Sequence, residues 1–294
     1  MDLARIKLTV DQLLDPAIDK AAVLKQLDDM AIEVKRSFPP GASSLIKFKA
    51  LRDYLYHPAV LSGRRPFLYN FADDRNPRAK LLSVYLATHR GNCVSMPLLF
   101  VILGQKLDIP VTLATAPAHL YVKFRGDNGR WYGVETTSGA GWAADDWQQK
   151  QFPTMTPTAV SSGLYMQPLT KREAAAAVLE PMLQIYESQH GVEADDARVK
   201  LALLMLDNYP KSISAMLHAY FGYLGLRQRL FVERYPQLND IPVNLRRRFD
   251  QIEAGWSYWG NRAKALGYQP PTPAMEVSYR ERLRRAKEAV DNPR

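Results

Sequence analysis

The stretch from Gly91 to Glu135 restricts the fold more than any other part of the chain. The only cysteine among 294 residues, Cys93, stands in a Gly91-Asn92-Cys93 turn, where a polar, Arg-flanked segment gives way to the apolar run Val94 to Leu107. That run reads as a helix. Val111 to Thr115 then reads as a strand, Pro117-Ala118 as a break, and His119 to Phe124 as a second strand with alternating faces. A turn at Gly126-Asp127-Asn128-Gly129 returns the chain into Trp131 to Glu135, which pairs with the preceding strand as a hairpin. A helix packed on a short antiparallel sheet is the α+β arrangement this order predicts.

If the start of the Cys93 helix abuts the hairpin, one place gathers a thiol, an imidazole and a carboxylate, in the order nucleophile, base and orienter. The thiolate is the attacking species, and the positive end of a helix dipole with its unpaired N–H groups favours that anion. The same N–H groups hold an oxyanion, for which the Cys93 backbone and Asn92 are the candidate donors. Pro97 has no N–H to bond the Cys93 carbonyl, so the first turn is slack at the reacting residue. His119 would take the thiol proton and return it to a leaving amine, while Glu135 would fix the tautomer and stabilise the imidazolium. The chemistry is acyl transfer from an amide or ester. A free cysteine also serves as a small buried hydrophobe, and a Glu at a strand end is commonly solvated. The coincidence of all three residues favours the chemical reading.

Gly91-x-Cys93, the strand-opening His119, and the Trp131 and Glu135 that follow it by twelve and sixteen residues resemble the core motif of the transglutaminase-like cysteine superfamily. The acid in that family is usually Asp; here it is Glu135. A longer resemblance, over roughly residues 20–135, points to the bacterial SirB-type branch. It runs through Leu51 to Tyr56, Gly63, Tyr69-Asn70-Phe71, Asn76-Pro77, Leu81-Leu82, Arg90-Gly91-Asn92, the Leu98 to Leu107 helix, and Pro117 with His119. Many members of that branch carry Pro at the Cys93 position. The resemblance implies a papain-like core, a Cys93-His119-Glu135 triad, an amide bond in a peptide or protein as substrate, and no metal or organic cofactor. Trp131 and Trp142 are expected to line the substrate cleft.

A content of 47% hydrophobic and 23% charged residues is ordinary for a globular chain with a sizeable core. The longest uncharged run, Gly91 to Gln105, is too short to span a bilayer and is interrupted by Pro97. No membrane span is expected. One cysteine excludes an internal disulfide, so the redox compartment is not encoded in bridges. The expected location is cytoplasmic by default, and periplasmic if a leader has been trimmed.

The net charge of +9 suits acidic partners, and its densest stretches are Arg246 to Arg248 and Arg280 to Lys287. The second interleaves Glu at helical spacing, as a solvated helix face does. Without a zinc knuckle or recognition-helix signature, no specific nucleic-acid binding is expected.

Residues 2–36 carry apolar positions at helical spacing split by Asp15-Pro16, and a further helix is expected near Ser44 to Tyr56. Ser138 to Pro168 reads as loop-rich, with Gly139 to Trp142 a lip over the substrate. From Thr170 onward, Lys171 to Gln189, Asp195 to Asn208, Ser212 to Arg234, Asn244 to Leu266 and Ser278 to Val290 read as helices. Pro-marked turns there lie 26 residues apart, against ~34 for a tetratricopeptide repeat. A degenerate pair of such repeats and a plain bundle both fit, with Ala215 and Ala254 as small residues at close helix contacts. Tyr258 and Tyr268 are expected to line a groove there.

The domain division expected is 1–168 for the α+β core with its N-terminal helices and 169–294 for an all-helical domain. His57, His89, His190 and His218 lack metal-ligand spacing, although His89, four residues before Cys93, is a candidate second polar group in the cleft. The competing reading is a pseudoenzyme scaffold that binds a protein partner through its C-terminal helices.

Overall fold

The computed structural model describes residues 1–58, 64–70 and 77–275, together with Val277, Ser278, Glu281 and Arg285. Gly63, Phe71 and Asn76, and most of the helix expected over 278–290 with its basic stretch, lie outside the described residues.

In chain order the elements are α1 (Leu3–Leu14), α2 (Lys20–Arg36), α3 (Ser44–Tyr56), β1 (Leu68–Tyr69), α4 (Leu82–Thr88), β2 (Arg90–Gly91) and α5 (Ser95–Lys106). Next come β3 (Val111–Ala116), β4 (His119–Arg125), β5 (Trp131–Glu135), β6 (Gly141–Ala143), α6 (Asp145–Gln151) and α7 (Pro157–Ser161). The remainder is helical: α8 (Lys171–Ala177), α9 (Glu180–His190), α10 (Asp195–Asn208), α11 (Ile213–Arg227) and α12 (Val243–Ala265).

The first three helices start where a polar side chain satisfies an orphan first-turn N–H: Asp2 accepts from Arg5, Asp19 from Ala22 and Ser43 from Ile46. Helix α5 has a different character. Every residue from Ser95 to Gly104 is buried, as a helix apolar on all sides must be. It packs against α2, α3 and α4 and against β3 and β4. Phe48 of α3 joins it to the sheet, with ring centroids 5.5 Å from Phe100 and 4.9 Å from Phe124. Gly104 allows the close approach, since a Cβ there would lie 2.2 Å from Cγ2 of Val111.

The sheet is antiparallel, in the order β3-β4-β5-β6, and β1 and β2 form a separate parallel pair. Between β3 and β4 the chain reverses through Pro117-Ala118, with Ala118 left-handed at φ 52°, so that Ala116 faces His119. In the next hairpin Val122 faces Val134 and Arg125 faces Trp131.

By compactness the chain divides into two units. One comprises Ala17–Thr156 and Tyr165–Pro168 with the described residues from Gln269 on, and contains the whole sheet and α5. The other comprises Met1–Pro16, Pro157–Leu164 and Leu169–Tyr268. The N-terminal helix pair is therefore split, since α1 groups with α8 and α9. On α1, Leu3, Leu8 and Val10 are buried, and so are Lys7 and Asp11, which form an ion pair one turn apart. Leu13 is exposed.

Four expectations are corrected. The segment 138–168 is not mainly loop: Gly141–Ala143 is the fourth strand, and Gly133 admits it because a Cβ there would meet the Ala143 carbonyl oxygen at 2.3 Å. A strand of three residues is too short for alternation to show. The helix expected over Lys171 to Gln189 is two, because Pro181 can occupy only the first turn of α9. Ala215 is fully buried as expected, but Ala254 is exposed, and its neighbour Gly255 makes the close contact with the Tyr223 ring. The helix expected over Ser212 to Arg234 gives way after Arg227 to a π-helical turn, Gln228–Val232.

Candidate active site

Cys93 is placed by the Asn92 to Ser95 turn. The Asn92 carbonyl accepts from the Met96 N–H at 3.1 Å, so the helical ladder begins there. Asn92 Oδ1 accepts from the N–H groups of Val94 (3.0 Å) and Ser95 (3.1 Å), and Ser95 Oγ accepts from the Asn92 N–H (3.0 Å). This reciprocal cap satisfies the buried donors on either side of Cys93. Cys93 is then the first residue of the turn, with its N–H among the donors that the helix itself cannot use. Asn92, expected as an oxyanion donor, is buried and uses its side-chain oxygen to hold the turn. Gly91 is required by the same packing, because a Cβ there would lie 2.5 Å from the Tyr85 ring and 2.7 Å from Ser95 Oγ.

His119 opens β4 and Glu135 closes β5. Both occupy odd positions of the paired strands, so alternation puts them on one face. His119 Nε2 lies 2.8 Å from Glu135 Oε2, which leaves Nδ1 as the ring nitrogen available to Cys93. Glu135 Oε1 accepts from the Thr137 N–H at 3.1 Å and from Thr137 Oγ1 at 2.6 Å. Both carboxylate oxygens are therefore fixed. The Phe152 ring stacks on His119 at 5.6 Å and Tyr121 lies at 6.5 Å, so the imidazole is held between aromatic groups.

Burial works against a charged His119, but the Glu135 carboxylate and the hydrogen bond with Cys93 outweigh it and push His119 up to about 10. For Glu135, burial raises the pKa and the adjacent imidazolium and the Thr137 bonds outweigh that rise, so it stays below its ordinary range. The pair is ionised at neutral pH. Tyr56 and Tyr121 are raised by burial first; the negative charge of Glu135 adds to both, and that of Asp145 adds further to Tyr121. Their hydroxyls are buried without a hydrogen-bond partner among the described residues.

The structure thus brings Cys93, His119 and Glu135 together, and it places Trp142 elsewhere. Trp131 shares the face of Glu135, four residues and about 13 Å away along the extended strand. Trp142 faces Val134 across β5 and β6, so pleating directs it to the face opposite His119 and Glu135, where it stacks on Phe48 at 5.0 Å. His89 also stays out of the cleft: it stacks on Phe67 at 4.0 Å and its Nδ1 is 3.0 Å from the Arg65 carbonyl. His57 is 3.3 Å from Asp53, His190 packs on Tyr186, and His218 accepts from Arg198. Among the described residues no group of three or more His, Cys, Asp and Glu could hold a metal ion, and no helix is long and apolar enough to cross a membrane.

Sequence reasoning missed Ser95, Thr137 and Phe152. The first two were within reach: Ser three residues after Asn92 is a capping pattern, and Thr two residues after a strand-end Glu is a side-chain turn. Phe152 reaches His119 through tertiary folding and leaves no local signal.

A thiol at a helix start thus meets an imidazole and an ionised carboxylate at the ends of the two inner strands of the sheet. The family model for the transglutaminase-like superfamily matches residues 21–180, more than half of the chain and all of this site. The chain belongs to the transglutaminase-like superfamily. No curated protein matches it. Among solved structures it is similar to one titled "Crystal structure of menin reveals the binding site for Mixed Lineage Leukemia (MLL) protein", at 15% identity and a TM-score of 0.40. That match covers 88% of this chain and 65% of the other, so the chain spans under two thirds of its length.

Proposed function

We propose that the protein is a cysteine-dependent acyl-transfer enzyme, of the SirB-type branch, acting on an amide bond of a peptide or protein. The observation that carries the reading is the His119–Glu135 contact at 2.8 Å, with the same imidazole hydrogen-bonded to Cys93. The Cys93 thiolate attacks the amide carbonyl carbon, and the oxyanion is held by the Cys93 N–H. His119 donates its proton to the departing amine as the C–N bond breaks, leaving a thioester. Water then gives up a proton to His119 and attacks the thioester, releasing the acid and the thiolate; an amine in place of water yields a new amide. Glu135 stays ionised throughout and keeps Nδ1 directed at sulfur.

Wild-type protein and Cys93→Ala should be incubated with a broad pool of peptides and cell-wall fragments and read by mass spectrometry. Cleaved or transamidated products, or a thioester mass on the protein, are expected with wild type alone. A pool left unchanged by both, with a thiol no more reactive than that of a denatured control, would overturn the reading. A second reading, a partner-binding role for the helical unit, is favoured by the exposure of Phe221 and Tyr258 and of Arg246 to Arg248 on α11 and α12. Tyr268, expected in the same groove, instead packs against the cluster of Ala215, Met216 and Ala263.

A further inference from the structure

On the sheet face opposite His119 and Glu135, Leu45 of α3, Phe124, Gly126 to Asn128, Tyr132 and Trp142 line an open cavity of about 440 Å³. That lies in the range ligand sites occupy, about 300–1,000 Å³. It has an aromatic floor and a polar rim. Trp142 contributes the floor and is 53% exposed even though one of its faces stacks on the fully buried Phe48 at 16° between planes. Phe124 and Tyr132 meet it at 5.9 Å each, tilted by 50° and 63°, so the indole is held on two further sides. An indole is seldom left so open when it has an apolar core to join, and its support from below makes it a rigid platform.

The rim explains the choice of ligand. Asn128 donates to the Tyr132 hydroxyl at 2.7 Å and accepts from the Arg130 N–H at 3.1 Å, which fixes the hydroxyl at the mouth with its own hydrogen free to donate outward. Asp127 lines the cavity and takes part in no ion pair or hydrogen bond among the described residues, so its carboxylate offers two acceptors. A phosphate or carboxylate ligand would meet that negative charge, and an apolar side chain would desolvate the rim without replacing its bonds. A simple cation would pair with Asp127 but leave the outward-donating Tyr132 hydroxyl without an acceptor. A neutral molecule with one flat C–H face and hydroxyls around its edge satisfies both parts.

We propose that this cavity binds the pyranose ring of a neutral sugar, with the ring face on Trp142 and its hydroxyls on Asp127 and Tyr132. The site is separate from Cys93 and does not depend on its chemistry. A sugar-bearing substrate or surface would be held there while the thiol acts, or without it.

The test uses the full chain and saturation-transfer NMR with methyl glycosides of glucose, galactose, mannose and N-acetylglucosamine and a chitin oligosaccharide. Choline, AMP and N-acetylphenylalanine amide serve as the other occupants. At least one sugar should show transfer strongest at its ring C–H protons. Trp142→Ala should weaken binding at least tenfold and Asp127→Ala severalfold, while Cys93→Ala binds as wild type. Asp127 is an exposed turn residue, so its variant decides the matter if Trp142→Ala does not fold. Absence of transfer to every sugar, binding indifferent to Asp127→Ala, or preference for any of the other three probes overturns the proposal. Loss of peptide chemistry alone leaves it standing, so the two readings fail separately.

Discussion

Thr137 and Glu135 are joined twice, through the Thr137 N–H at 3.1 Å and its hydroxyl at 2.6 Å, both to the carboxylate oxygen that His119 does not use. Glu135 closes β5 and at the same time caps the short turn Thr136–Ser138. One extra methylene, relative to Asp, is taken up by this local loop.

Replacing Thr137 with Val should therefore loosen Glu135 without removing it. A hydrogen bond to a charged group contributes roughly 1.5–3 kcal/mol. Turnover on any substrate found should fall about tenfold or more, with KM little changed, and Thr137→Ser should restore it. Equal kcat for the Val and wild-type proteins would remove Thr137 from the support of the site.

Glu135→Gln should lower the titration midpoint of His119. In wild type the carboxylate outweighs burial and pushes the imidazole up to about 10; with that charge gone, burial is opposed chiefly by Cys93, and the midpoint should fall markedly below the wild-type value. NMR titration of the His119 ring reads this directly. In a serine triad, loss of the acid's charge costs on the order of 10⁴ in turnover, and a comparable or smaller loss is expected here. An unmoved His119 midpoint would mean that Glu135 is not its counter-ion.

The same pair sets a pH window for stability. The raised His119 contributes stability that is fully present below about 6.5 and is lost as pH rises through about 10. The lowered Glu135 contributes stability present above about 4.5 and lost as pH falls through its folded value. The Tm difference between wild type and Glu135→Gln should be largest between about pH 4.5 and 6.5 and shrink on either side. A difference that grows from pH 7 to 10 would contradict the assignment.

Cys93 should react with iodoacetamide at neutral pH faster than a denatured control, and His119→Ala should slow it about tenfold or more, since the imidazolium favours the thiolate. Stopped-time alkylation read by mass spectrometry gives both rates. Identical rates for the two proteins would detach His119 from the thiol.

A fragment of residues 170–268 should be incompletely folded by itself, because α1 belongs to the same compact unit and packs on α8 and α9. Adding a peptide of residues 1–16 should raise its helical circular dichroism and sharpen its thermal transition. If the fragment unfolds cooperatively without the peptide and does not bind it, α1 is dispensable there.

Local chemistry by itself determined the helix at Cys93, the two hairpins, and the split of the N-terminal helices at Asp15-Pro16. Apolar periodicity, turn residues and capping act over a few positions, and nothing in the fold opposes them there. The candidate triad was legible for the same reason, because strand alternation and hairpin register carry His119 and Glu135 to one face. Tertiary structure decided the rest. The three-residue strand β6 exists only because Gly133 lets another backbone approach, and Trp142 left the expected cleft because that pairing turned it to the other face. Helix α1 joined the C-terminal helices, although its sequence neighbour α2 did not, because its buried face is completed by residues more than 150 positions away. Contacts of that separation have no period in the sequence; they arise only when surfaces that each element leaves apolar find one another.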